Sequence, residues 1–246
     1  MASWSDLCAI VVIEEPRHLL RKRVRRELAR VGIFRLLDVL AMRLYYRLAL
    51  AGKDERWKAS RLAAMRAEWP AVPSTVPVIR VPSPNTAAAQ QALAAAAPDL
   101  VLALCKNILA ERVFSIPRRG TFVLHPGICP EYRNAHGCFW ALASDDVEHV
   151  GATMLRIDRG IDTGPVFGYF SAPFDERTES HIVIQHRMVL DNLNEIADLF
   201  RRIAEGDAST IPTTGRTSHE WGQPWLTKYL RWKQRARWRR NARTHP

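Results

Sequence analysis

Residues 121–142, TFVLHPGICPEYRNAHGCFWAL, bring two histidines, two cysteines, a tyrosine, an arginine and an asparagine together. Three chemistries suit such a mixture. His125, Cys129, His136 and Cys138 are all zinc-ligand types. Their spacing, H-x3-C-x6-H-x-C, matches no common finger or ribbon, and two buried thiols with a histidine at a helix start account for it better. Further along, Asp162-Thr163-Gly164 is the word of an aspartic protease, in which two such loops share one proton. The chain holds one copy, so that reading needs a dimeric site. The third chemistry joins the two places. An imidazole held by a carboxylate serves as general acid and base near neutral pH, which an amine attacking a carbonyl requires. His125 and Asp162 are the candidate pair.

Elements must deliver both groups to one crevice. The apolar run Leu7–Glu15 predicts a buried strand. From Arg17 to Leu50 the leucines recur at three- and four-residue spacing among arginines, which predicts helix interrupted at Gly32. Val78–Val81 and Leu100–Cys105 read as strands, with an Ala-rich helix between them ending at Pro98. A strand in TFVLHPG breaks at Pro126, leaving His125 at its end. Helix is predicted from Asn134, an alternating strand over HVGATMLRID, a Gly-flanked loop around Asp162, another strand, and one long amphipathic helix from Glu176 to Gly206. Strands alternating with helices predict an α/β fold, a Rossmann-like open, mostly parallel sheet with flanking helices and ligands at the strands' carboxyl ends.

The 246 residues contain 36 Lys+Arg against 25 Asp+Glu. The excess sits in RHLLRKRVRRELAR (17–30) and in the tail 226–246, which has no acidic residue. Such a field attracts phosphate-rich partners or anionic lipid. In the tail, Trp225, Tyr229 and Trp232 fall on one helical face, suited to a membrane surface, to nucleic acid, or to docking on the protein itself. No apolar run is long enough to span a bilayer, no basic segment precedes the first apolar run, and the four cysteines read as reduced thiols. A cytoplasmic location is the expectation.

IPRRGTFVLHPGICPEYRNAHGCFWAL followed by GATMLRIDRGIDTGPVF resembles the catalytic core of the folate-dependent formyltransferases, which act on methionyl-tRNA, glycinamide ribonucleotide or amino sugars. Pro117 and Gly120 match the family's lead-in. His125, Pro126, Pro130, Tyr132 and Arg133 match its central word, and Trp140-Ala141 its next helix. Asp158, Gly160, Asp162, Thr163, Gly164 and Pro165 match its closing word. The resemblance implies formyl transfer from 10-formyltetrahydrofolate, as donor substrate and without a metal, to the amine of a small acceptor such as a nucleotide-linked sugar or a biosynthetic intermediate. His125 would polarise the formyl oxygen and Asp162 would orient it and take part in proton transfer. Lys106, Asn107, Ile108 and Leu109, with Ile157, Asp158, Gly160 and Ile161, would hold the pterin, largely through backbone groups.

The departures carry their own expectations. The family's catalytic Asn stands two positions before the histidine, where this chain has Val123. Asn107 and Asn134 are the replacement donors to look for. Asn134 stands for the family's Gly, Gly137 for a Pro, and Gly127-Ile128-Cys129 for Ser-Leu-Leu. A folate- or anion-binding relative without transfer, a hydrolase, or a zinc-binding protein are the other readings. The first strand resembles the family's second, so the first βα unit is missing or lies upstream of Met1. The expected organisation is a formyltransferase-like α/β domain over 1–205 and a basic, Trp-rich extension over 206–246. The extension is too short for the additional domain of tRNA-specific members, which argues against a nucleic-acid acceptor.

Overall fold

A computed structural model describes residues 5–14 and 20–244, with side chains described over 5–14 and 32–239. The side chains of the basic stretch 17–30 therefore lie outside the described residues, as does the end of the tail.

The chain is α/β. Strand β1 (Ile10–Ile13) pairs in parallel with β2 (Val78–Val81). Strand β3 (Leu100–Ala103) pairs in parallel with β4 (Gly120–His125). Two antiparallel strands, β6 (Ala152–Arg156) and β7 (Val166–Phe170), extend the second sheet on the far side of β4 in the order β3-β4-β6-β7. An antiparallel margin on a parallel sheet is a common variation. Among the described residues β1 has a partner on one edge, β2, and β3 likewise has only β4. A two-residue parallel pair, β5 (Arg133–Asn134) with β8 (Glu220–Trp221), stands apart.

Between β1 and β2 runs a helical excursion. Helix α1 (Leu20–Tyr45) kinks at Gly32, where φ is +76°, as the glycine predicted. A π-helical turn, Tyr46–Leu50, then leads into α2 (Ala51–Glu68). Helix α3 (Ala87–Ala96) starts at Thr86, whose side chain accepts from the Ala89 N–H, a standard cap. The four-residue α4 (Glu111–Phe114) precedes β4, and α5 (Gly137–Ala143) follows the β4 loop with every residue buried. The long helix expected over 176–206 is two, α6 (His181–Leu190) and α7 (Leu193–Glu205). The break has a cause in Asn192. Its buried amide donates to the carbonyls of Ser171 and Met188, competing with the helical ladder.

Helix α8 (Leu226–Thr244) shares the core. Tyr229 and Trp232 lie in one cluster with Phe139, Leu142, Met154, Ile184 and Phe200, so the residues after 205 have no separate core. Of the three interpretations of the tail's aromatic face, docking on the protein is the one found. Trp238 alone among its described tryptophans is largely exposed, at 70%. No described helix is long and apolar enough to cross a membrane.

Candidate active site

Because β3 and β4 are parallel, the segments that leave them, Leu104–Ala110 and Pro126–His136, emerge from the same end of the sheet. His125 closes β4 there, 4% exposed. The connection from β6 to β7 starts lower down. Arg156 pairs with Phe122, and the Ile157 N–H donates to the Thr121 carbonyl at 2.7 Å. The loop then doubles back along β4 and brings the Asp162 carboxylate to the imidazole, with Oδ2 3.3 Å from His125 Nδ1. Asp162 has a positive φ of +52°, a conformation that costs a non-glycine residue free energy and is frequent at functional sites. The two residues that the sequence paired thus meet.

Their surroundings fix the geometry. His125 Nε2 lies 2.7 Å from the Tyr132 carbonyl, an acceptor, so this nitrogen carries a proton. The other ring nitrogen, Nδ1, faces the Asp162 carboxylate. Asp162 Oδ2 also accepts from the Asn134 N–H at 2.8 Å, and no described group bonds Oδ1. Arg133 donates to the Ile161 carbonyl at 2.7 Å and to Ser218 Oγ at 2.9 Å, tying the aspartate loop to the chain's last third.

That last third acts as a strap. The His219 carbonyl accepts from the Arg133 N–H. Trp221 stacks on Trp140 with ring centroids 4.7 Å apart and on Tyr132 at 5.8 Å, and its Nε1–H donates to the Glu131 carbonyl. Arg216 makes a two-pronged contact with Glu131 at 2.8 and 2.7 Å, and reaches the Tyr169 hydroxyl. That hydroxyl donates to the Cys129 carbonyl. Thr153, the cross-strand partner of His125, donates to the Gly127 carbonyl and accepts from the Cys129 N–H. Reading the sequence missed Thr153, Arg216 and Trp221. Gly127 and Gly137, noted as departures, gave a signal that went unused, because their backbones touch.

Asn134 corrects one expectation. Its side-chain amide donates to the Trp221 carbonyl at 2.7 Å and to Glu220 at 3.1 Å, so it is committed to β8 and does not face the crevice as an oxyanion donor. Its φ of +77° explains the exchange with the family's Gly, since Asn tolerates the left-handed region better than most residues. Helix α5 begins at Gly137, three residues later than predicted, because β5 and a left-handed His136 take up the start. Val123 lies two residues before His125 on β4 and shares its face. The Asn107 carbonyl lies 3.5 Å from the Cys105 thiol.

The expected pterin residues lie in the two loops that leave β3 and β6. Leu104 and Ile108 are 73% and 65% exposed. Asn85 donates to the Ile108 carbonyl, and Lys106 is exposed. Asp158 Oδ1 accepts from the Gly160 N–H and the Thr163 hydroxyl. Burial first, and then the charges of Lys106, Arg43 and His125, push the His136 imidazole down to about 4. The zinc reading finds no assembled ligand set. His125 is engaged as above, the Cys138 thiol donates to the Gly151 carbonyl, and burial raises both Cys129 and Cys138. Among the described residues no three His, Cys, Asp or Glu side chains gather to hold a metal.

The family model described as formyl transferase matches residues 59–191, more than half of the chain. The chain belongs to the formyl transferase family. Among the relatives of this formyl transferase family member, methionyl-tRNA formyltransferase of Thermus thermophilus is 30% identical over 145 residues, 56% of this chain and 47% of that protein. The Sorangium cellulosum protein of the same name is 29% identical over 175 residues, 68% of this chain and 52% of its own length. The chain thus spans about half the length of the curated relatives it matches. Among solved structures, a sugar N-formyltransferase from Shewanella sp FDAARGOS_354 aligns with TM-score 0.49 at 15% identity, over 59% of this chain and 56% of that one. A formyltransferase from Anoxybacillus kamchatkensis, in complex with a UDP-linked formamido sugar and tetrahydrofolate, aligns with TM-score 0.47 at 16% identity, over 72% and 89%.

Proposed function

We propose that this chain transfers a formyl group from 10-formyltetrahydrofolate to the amine of a small acceptor, with His125 and Asp162 as its acid–base pair. The observation that carries the reading is the 3.3 Å approach of Asp162 Oδ2 to His125 Nδ1, with the Asn134 N–H on the same oxygen. The folate supplies the activated one-carbon unit. Exposed Leu104 and Ile108 offer apolar surface for a flat ring system, and the backbone of Lys106–Leu109 and Ile157–Ile161 offers polar edges, so the residues present fit such a donor.

His125, shielded from water, turns its Nε2–H from the Tyr132 carbonyl to the negative charge developing on the formyl oxygen. Asp162 holds the ring, and its Oδ1 takes the proton that the attacking amine loses and passes it to the donor nitrogen of the folate as the bond from that nitrogen to the formyl carbon breaks, releasing the formamide and tetrahydrofolate. Val123 supplies no hydrogen bond, and losing one oxyanion donor costs about 2.7–4 kcal/mol in the transition state. Lys106 and Asn107, in the loop that leaves β3 at the same end of the sheet as His125, are the candidate replacement donors, and Lys106 is the one tested below because it is exposed and charged. A nucleotide-linked amino sugar is the acceptor class that suits the chain's excess of 36 Lys+Arg over 25 Asp+Glu.

The test is tetrahydrofolate formation from 10-formyltetrahydrofolate with a panel of nucleotide-linked amino sugars. At least one acceptor should accelerate turnover, and His125→Ala should lower it by about 10²–10⁴-fold. Turnover equal in wild type and variant would sink the proposal. Val123 on the crevice face of β4 favours one other reading, a folate-binding relative without transfer. Folate-analogue binding with no turnover on any amine would support that instead.

A further inference from the structure

The π-helical turn between α1 and α2 borders a cavity of about 230 Å³ that shares no residue with the crevice. Its other walls are the loop before α6 and one face of α8. A π-turn gives up regular hydrogen bonding and is often retained where function needs it. In the first turn of α2, just after it, Asp54, 5% exposed, accepts from the Ser180 hydroxyl.

Four cations face this space, Lys53, Arg177, Lys233 and Arg237, against two carboxylates, Asp54 and Glu179. Both carboxylates are already engaged. Glu179 pairs with Arg187, outside the cavity, and burial pushes the Asp54 carboxyl up despite its hydrogen bonds. Lys53 rests on the Thr178 carbonyl. Lys233 donates to the carbonyls of Glu176 and Glu179 and lies 4.1 Å from the centre of the Trp232 ring. Burial brings its ammonium down to about 8. Among the described residues no ion pair joins Arg177, Arg237 or Lys233 to a carboxylate. A cleft with surplus positive charge focuses the field on whatever enters it.

We propose that this cavity is a second ligand site, which takes a phosphate or diphosphate group of a small molecule. Guanidinium groups bind phosphate oxygens in two-pronged fashion, and two arginines stand at the exposed rim, with Asp54 and Tyr229 buried below. The volume is below the roughly 300–1,000 Å³ of sites that enclose a drug-sized ligand, so a headgroup enters and the rest of its carrier projects outward. The site also touches the crevice indirectly. Tyr229 packs against His181, and His181 against His136, each pair with ring centroids 5.8 Å apart.

Calorimetric titration of the full chain with inorganic phosphate, inorganic pyrophosphate and uridine diphosphate tests this without reference to catalysis. Saturable binding of pyrophosphate or uridine diphosphate is expected, weakening as salt rises. It should fall at least tenfold in Arg177→Gln/Arg237→Gln, whose two exposed side chains can be changed without disturbing the core, and should persist in His125→Ala. Uridine diphosphate binding more tightly than pyrophosphate would identify a nucleotide as the carrier, and equal affinity would mean that the diphosphate itself is read. Absence of saturable binding by all three, indifference to the double arginine substitution, or loss in His125→Ala would overturn the proposal.

Discussion

Gly137→Ala is the most discriminating single change at the β4 loop. By helix propensity alone it stabilises, since Ala exceeds Gly by up to about 1 kcal/mol in a helix. The contacts predict the opposite. A methyl group at Gly137 would lie 2.5 Å from Gly127 Cα, 2.7 Å from the Tyr132 carbonyl oxygen and 3.0 Å from the Pro126 carbonyl oxygen. All three are backbone atoms, where carbon–carbon contact normally needs about 3.5–4.0 Å. The loop must therefore move by roughly 1 Å, and overpacking of this kind costs about 1–3 kcal/mol. Net destabilisation of up to about 2 kcal/mol follows after the propensity gain. The displaced segment carries the Tyr132 carbonyl that holds His125, so turnover should drop by up to about 10²-fold. Urea unfolding gives the first number as a lower midpoint at constant slope, and the transfer assay gives the second. An unchanged or raised midpoint would show that the two backbones do not touch, and the account of why glycine stands at both 127 and 137 would fail.

Acid should weaken the fold between pH 6.5 and 4. His136 titrates near 4 in the folded chain against about 6.5 unfolded, so the unfolded chain binds more protons in that window. At about 1.4 kcal/mol per pH unit the loss from His136 reaches at most about 3 kcal/mol. His181, held well below its ordinary value by burial, adds in the same direction, while Asp54 pulls the other way. Melting temperatures at pH 5.0 and 7.5 check this, and a flat profile would contradict it. Trp221→Ala removes two ring stacks and the bond to the Glu131 carbonyl, a loss of about 3 kcal/mol. Hydrogen exchange at Arg133 and Asn134 should speed up, and unchanged protection would mean that β8 does not brace the loop. Lys106→Met should reduce transfer at least tenfold while folate-analogue binding stays within a few-fold, and equal turnover would remove Lys106 as the donor replacing the lost amide.

The pair at the centre of the site was legible because both members sit in local words. His125 ends an apolar strand just before a proline, and Asp162 stands in a loop flanked by Gly160 and Gly164. The parallel pairing of β1–β2 and β3–β4 followed from alternation of strand and helix. What stayed hidden depends on contacts far apart in sequence. The β5–β8 pair joins residues 87 positions apart through two-residue strands, too short to leave a period. The tail's aromatic spacing identified one helical face, and the spacing could not say whether water, lipid or the core would meet it. Asn134 looked like a donor from its amide, yet its backbone conformation and the strand laid beside it decide where that amide points. The helix break at Asn192 turns on two carbonyls that no local pattern brings near.

The central claim is that His125 and Asp162 act as one unit on the formyl group. A double-mutant cycle on single-turnover formyl release from 10-formyltetrahydrofolate addresses it directly, with folate-analogue binding confirming that each variant is folded. His125→Ala and Asp162→Ala should each lower the rate by about 10²–10⁴-fold, and the double variant should be no slower than the worse single one, as expected for groups that work together. Losses that multiply, or a single variant that keeps the wild-type rate, would contradict it.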